Sequence, residues 1–158
     1  MRALVLLATL SVTLAVGLAG QEAASAAQAG PTFRINGVGL GMSPDSVGQL
    51  LGAPRKIEGP RSSEVTDQPV LTWTYPALEV IFFGQEATYV TCYNGPCSTP
   101  ERVHLGTLRA EVVRRYGPGT PADGDRLWHY LIAGSDCGLS VEFVADKVSG
   151  LVLWCDYS

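Results

Sequence analysis

Two stretches of this chain answer each other. Leu40-Gly41-Met42-Ser43, running through Val47 to Leu51-Gly52, matches Leu105-Gly106-Thr107, running through Val112 to Tyr116-Gly117, at a constant offset of 65 residues. Further along, Trp73 and Tyr75 match Trp128 and Tyr130, and Cys92 matches Cys155 at an offset of 63. The changes of offset fall in loops, where added length costs little. Pieces that match in one order over about sixty residues imply a duplicated unit, and such self-similarity bounds a fold more tightly than any single motif.

Each copy opens with a short helix that carries its own punctuation. In the first, Ser43 is placed to cap, Pro44 takes the first helical position and Asp45 sits near the positive helix end. Val47, Leu50 and Leu51 share one face, and Gly52 with Pro54 ends the helix. In the second, Thr107 is the expected cap, Val112, Val113 and Tyr116 form the face, and Gly117-Pro118 stops it. Three extended segments follow each helix: Val70–Tyr75, Leu78–Phe83 and Ala87–Tyr93, then Arg126–Ile132, Leu139–Val144 and Leu151–Asp156. They are rich in Val, Ile, Trp, Tyr and Phe and bounded by Gly, Pro or Asp, which reads as an antiparallel meander. The expected fold is therefore α+β: two tandem repeats, each a short helical segment on a three- to four-stranded antiparallel meander, with the sheets joined into one concave surface. The boundaries are 30–93 for the first repeat, 94–102 for a linker and 103–158 for the second.

Alternation along the strands assigns two faces, because a sheet with helices on one side leaves its other side free. Tyr89, Thr91 and Tyr93 oppose Val90 and Cys92; Val152, Trp154 and Asp156 oppose Leu151, Leu153 and Cys155. The cysteine and aliphatic side is the expected core. The aromatic set Trp73, Tyr75, Tyr89, Tyr93, Trp128, Tyr130 and Trp154 is the expected binding face, since Trp and Tyr bury large areas at low entropic cost. For Trp73, Tyr75, Trp128 and Tyr130, packing under the helices is the competing reading.

Residues 1–29 read as a secretory signal. Arg2 supplies the positive start, Ala3 to Ala19 is a 17-residue uncharged, mostly apolar run, and a small-residue stretch follows. The cleavage sites on offer are after Ala26 and after Ala29, the second preferred. Cleavage would leave no membrane span, and with Cys92 the first cysteine there is no lipid-anchoring cysteine at the cut. The protein is thus expected to be secreted or periplasmic. A net charge of −4 with no basic run argues against nucleic acid, whose phosphates need a basic stripe.

Four cysteines in an oxidising compartment favour two disulfides, with three connectivities open. Cys92 and Cys97 flank Tyr93-Asn94-Gly95-Pro96, a turn sequence, which leaves Cys137 and Cys155 to join two strands. A zinc site competes, but spacings of 5, 40 and 18 lack paired C-x-x-C knuckles.

No catalytic set, metal or cofactor is expected. The histidines are His104 and His129, and His129, beside Leu127 and Leu131, is read as a core histidine rather than a base. An enzyme using His129 with Glu142 or Asp136 is the alternative from another class. Glu79 and Glu142 occupy similar strand positions and are read as solvent-facing. No Gly-x-Ser-x-Gly or His-Glu-x-x-His motif occurs, and Gly37-x-Gly39-x-Gly41 lacks the Lys-[Ser/Thr] of a phosphate loop.

The helix–strand–strand–strand order, opening on Gly41-Met42-Ser43-Pro44 with Val47, Leu50-Leu51-Gly52 and Pro54 and continuing to Trp73-x-Tyr75, resembles the BamE-like (SmpA/OmlA) fold. A tandem copy in an exported, disulfide-braced chain is similar more particularly to the β-lactamase inhibitor protein family. The resemblance covers residues 36 to 158. It implies a non-catalytic module whose aromatic sheet face grips a protein partner, with an envelope assembly or structural role as the alternative. No contact residue is carried over from the family.

Overall fold

The computed structural model describes residues 33–63 and 67–156; the expected signal segment lies outside them. Helix α1 (Pro44–Leu51) starts where its sequence provides a cap. Ser43 Oγ accepts the Ser46 amide at 3.2 Å, and Pro44 holds a position whose N–H has no helical partner in any case. Gly52 ends the helix at φ 79°, a conformation open to glycine without a Cβ penalty. Helix α2 (Arg109–Tyr116) ends in the same way on Gly117 at φ 80°. Its start differs from the expectation. The N-cap is Leu108, with no side-chain cap, and Thr107 is buried with its Oγ1 accepting the His104 amide at 3.0 Å. That hydroxyl braces the approach loop instead of the helix.

Eight strands follow: β1 (Lys56–Ser62), β2 (Pro69–Thr74), β3 (Glu79–Phe83), β4 (Glu86–Cys92), β5 (Thr120–Asp123), β6 (Leu127–Leu131), β7 (Cys137–Val144) and β8 (Lys147–Cys155). They form one antiparallel sheet in the order β1-β2-β3-β4-β8-β7-β6-β5. This corrects the expected architecture of two tandem helix-plus-meander repeats. The join is a full strand pairing, with Tyr89 opposite Trp154, Val90 opposite Leu153, Thr91 opposite Val152 and Cys92 opposite Leu151. One hydrophobic cluster runs beneath it and includes both Val47 of α1 and Val112 of α2.

The physical reason lies in β4 and β8. Val90 and Cys92 of β4 and Leu151 and Leu153 of β8 are fully buried, and either strand left as a sheet edge would present a row of unpaired N–H and C=O groups. Pairing them removes both edges and places their buried apolar residues at the centre of the sheet. The true edges, β1 and β5, are almost wholly exposed and carry Pro60 and Pro121, residues that belong on edges because they cannot donate to a ladder. On β1, Glu58 also pairs with Lys56 at 3.0 Å and Arg61 at 3.6 Å. Without an apolar alternation, β1 and β5 gave pattern reading nothing to find.

Both helices cover the same face. A Cβ built on Gly48 of α1 would stand 3.7 Å from the Trp73 ring, and Arg109 of α2 lies 4.9 Å over Trp128 and 4.3 Å over Phe143. The pairs Cys92–Cys97 and Cys137–Cys155 are disulfide-bonded and no cysteine is free. The segment 94–102 is stitched to the chain before α1: Asn36 Nδ2 donates to the Pro96 carbonyl at 3.0 Å, and Asn36 Oδ1 accepts the Ser98 amide at 2.9 Å. Among the described residues no helix is long and apolar enough to cross a membrane.

Candidate functional site: the uncovered sheet face

Side chains alternate between two faces on the four central strands, interrupted where the register shifts at Ile81/Phe82 and at Glu142/Phe143. Val80, Phe82, Val90, Cys92, Leu139, Val141, Leu151 and Leu153 are fully buried on the helix side. Their neighbours Ile81, Phe83, Tyr89, Thr91, Val152 and Trp154 point the other way and stay part-exposed. The register extends this second face across the sheet. Trp154 stands opposite both Tyr89 and Gly138, Val152 opposite Thr91 and Ser140, and Gly150 opposite Glu142; His129 pairs with Ser140 and Leu127 with Glu142. No described helix lies over it.

An aromatic stripe crosses this face. Phe83 and Tyr89 stand with ring centroids 6.3 Å apart at 59°, and Trp154 meets His129 edge-on at 5.2 Å. Strands lie about 4.8 Å apart, so the stripe from β3 to β6 reaches about 20 Å. One buried hydroxyl holds its centre. Trp154 Nε1–H donates to Ser140 Oγ at 2.6 Å, and the same oxygen lies 2.7 Å from His129 Nδ1. The Ser140 hydroxyl, one donor with two acceptor lone pairs, thus bridges the indole N–H and the imidazole. Two rings are thereby fixed through one oxygen.

A second fixture lies along β8 from Trp154. Tyr93 OH donates to Glu142 Oε1 at 2.9 Å, and the ring reaches that carboxylate over Gly150. A Cβ on Gly150 would stand 2.6 Å from Tyr93 Cε1 and 3.1 Å from Glu142 Oε2, so only glycine leaves room. Burial first, and then the Glu142 carboxylate, push the Tyr93 phenol up to about 12. The phenol therefore stays a donor throughout the physiological range.

The seven aromatics expected on one surface divide between the two faces. Tyr89, Tyr93 and Trp154 are on the uncovered side. Trp73 and Trp128 pack on the helix-side core, at 5.2 Å from Phe82 and 5.4 Å from Phe143. Tyr75 and Tyr130 are buried, each with its hydroxyl on the carbonyl that ends a helix: Tyr75 to Gly52 O and Tyr130 to Gly117 O, both at 3.3 Å. The indole nitrogens of Trp73 and Trp128 find no partner among the described residues. These four act on the core and the helix ends.

His129, Phe83, Ser140 and Gly150 are the members of the face that sequence reading did not assign to it. His129 sits between leucines on a strand apolar on both sides, so alternation alone does not give its direction. The pairing of His129 with Ser140, and of Ser140 with Val152 beside Trp154, supplies it. Among the described residues no hydrogen bond joins His129 to Glu142 or Asp136: Glu142 holds Tyr93, and His129 holds Ser140. Ser140 and His129 have the separation of a nucleophile and its base. Ser140 is nevertheless buried, and its oxygen is occupied by the indole. Among the described residues no group of three His, Cys, Asp or Glu is arranged to hold a metal ion.

No protein-family model, curated protein or solved structure matches this chain.

Proposed function

We propose that this chain is an exported, non-catalytic protein-binding module that grips its partner with the uncovered sheet face, centred on Trp154 and Tyr89. The observation that carries the reading is the Trp154–Ser140–His129 fixture. An aromatic stripe left part-exposed is ordinary, but one whose central rings are locked by a shared buried hydroxyl has already lost the rotamer freedom that binding would otherwise cost. The two disulfides fit an oxidising compartment, and the start of the chain reads as its export signal. The resemblance to the β-lactamase inhibitor family supplies the class of partner: an enzyme working outside the cytoplasm, which this module inhibits by occupying it.

Affinity capture from the native envelope and culture fluid, followed by titration of the recovered protein, tests this reading. Central interface aromatics typically cost about 2 kcal/mol or more when cut to alanine, equivalent to roughly thirtyfold in affinity. Trp154→Ala should keep the fold and lose that much, while Arg114→Ala, exposed on α2 away from the face, should bind as the wild type does. Unchanged affinity in a folded Trp154→Ala protein contradicts the proposal.

A further inference from the structure

At one end of the uncovered face, between β3 and β4, lies a depression of about 270 Å³ lined by Thr74, Leu78, Glu79, Thr91 and Tyr93, among others. Glu79 is the only charged residue in its wall among the described residues. Its carboxylate is exposed and has no ion-pair partner among the described residues. The nearest cation by register is Lys56, opposite Thr74 on β1, and Lys56 is bound to Glu58 at 3.0 Å. The wider face has the same sign. Strands β2–β4 and β6–β8 carry Glu79, Glu86 and Glu142 against one cation, Lys147, which lies at the opposite end of β8 from Trp154.

Tyr93 is built for a particular kind of contact. It is 48% exposed, unusual for an aromatic, yet its ring is held over Gly150 and its hydroxyl by Glu142. Hydrogen bonding to a carboxylate makes the phenol ring more electron-rich, which strengthens its attraction for a cation over its face. A pinned aromatic wall beside a free carboxylate, in a hollow without a cation, matches the cation and apolar stem of a lysine or arginine.

We infer that the partner's contact segment is a cationic stretch of polypeptide, which sets a Lys or Arg side chain into this hollow between the Tyr93 ring and Glu79. This rests on the reading of the sheet face as the binding surface and names the chemistry that surface selects. Glu79 is the counter-ion, Tyr93 gives the stacking face, and Glu142 positions Tyr93. The stripe through Tyr89 and Trp154 takes the apolar residues that flank the cation.

A random dodecapeptide phage library, panned on the exported protein with both disulfides closed, tests it. Enriched peptides should share a Lys or Arg beside an apolar residue, and labelled copies should bind less tightly as salt rises. Replacing that Lys by norleucine, or making Glu79→Gln, should each weaken binding by about tenfold, in the range of a partly desolvated cation–π and ionic contact. Glu79 is exposed and outside the core, so its variant folds; Tyr93→Leu, checked by near-ultraviolet circular dichroism, provides the second arm. Peptides that need Trp154 but carry no cation and ignore Glu79→Gln overturn the cationic inference and leave the face reading standing. Peptides indifferent to Trp154→Ala, or no enrichment at all, overturn both. So does Trp154-dependent binding to a glycan array without peptide binding.

Discussion

Gly150 decides whether Tyr93 can lie where it does. Adding one methyl there puts a carbon 2.6 Å from the ring, against a carboxylate that is also in contact. Gly150→Ala should therefore cost about 1–3 kcal/mol, as overpacking does, and release Tyr93 from Glu142. Denaturant unfolding measures the first effect and a tyrosine titration the second. The phenols of Tyr93 and Tyr130 are pushed up to about 12 from an ordinary value of 10, both mainly by burial. A raised pKa favours the neutral form of the folded protein. The stability it contributes is complete below pH 10 and is lost as pH rises through about 12. Ultraviolet titration should show tyrosinate appearing late in the native protein, with one late group absent from Tyr93→Phe. Ionisation of every tyrosine near pH 10 would contradict the burial and the Glu142 contact. At this scale the sequence was half legible. The parity of Tyr89 and Tyr93 against Val90 and Cys92 is plain in β4. The directions of Trp128 and His129 depend on a register with Ser140 and Val152 that local pattern does not contain.

The elements differ in how much stability each covalent or capping device supplies. Ser43 caps α1 with its side chain, whereas α2 has no such cap. Ser43→Ala should thus cost about 1 kcal/mol, read as a shift in the denaturant midpoint. Thr107 acts on the loop before α2, so the sequence likeness between Ser43 and Thr107 concealed two different uses of a hydroxyl. The disulfides close spans of 18 and 5 residues. Chain entropy then assigns about 3 kcal/mol to Cys137–Cys155 and about 2 to Cys92–Cys97. Paired Cys→Ser variants should follow that order in equilibrium unfolding, and the reverse order would show that strain or solvation dominates. Six strands were readable because branched and aromatic residues alternate in them. β1 and β5 were not, since edge strands are written in proline, charge and exposure.

Across the whole molecule, the pairing of β4 with β8 joins distant parts of the chain into one sheet over one core. Segments 30–93 and 103–158 expressed separately should each expose that central pairing edge, and should stay unfolded or self-associate rather than give dispersed monomer spectra. The intact chain should unfold in a single transition, with amides of β4 and β8 the slowest to exchange. Self-similarity pointed to two tandem repeats with joined sheets; the apolar residues of β4 and β8, which make either a poor sheet edge, were the signal for one continuous sheet. The claim that this sheet presents its uncovered face to a protein partner is tested most directly by oxidative footprinting of the purified complex. Partner binding should protect Trp154, Tyr89 and Tyr93, while Leu50 on α1 and Leu108 at the start of α2, both about half exposed, are modified as in the free protein. Protection of the two leucines with the three aromatics unchanged would place the interface on the helices and contradict the account.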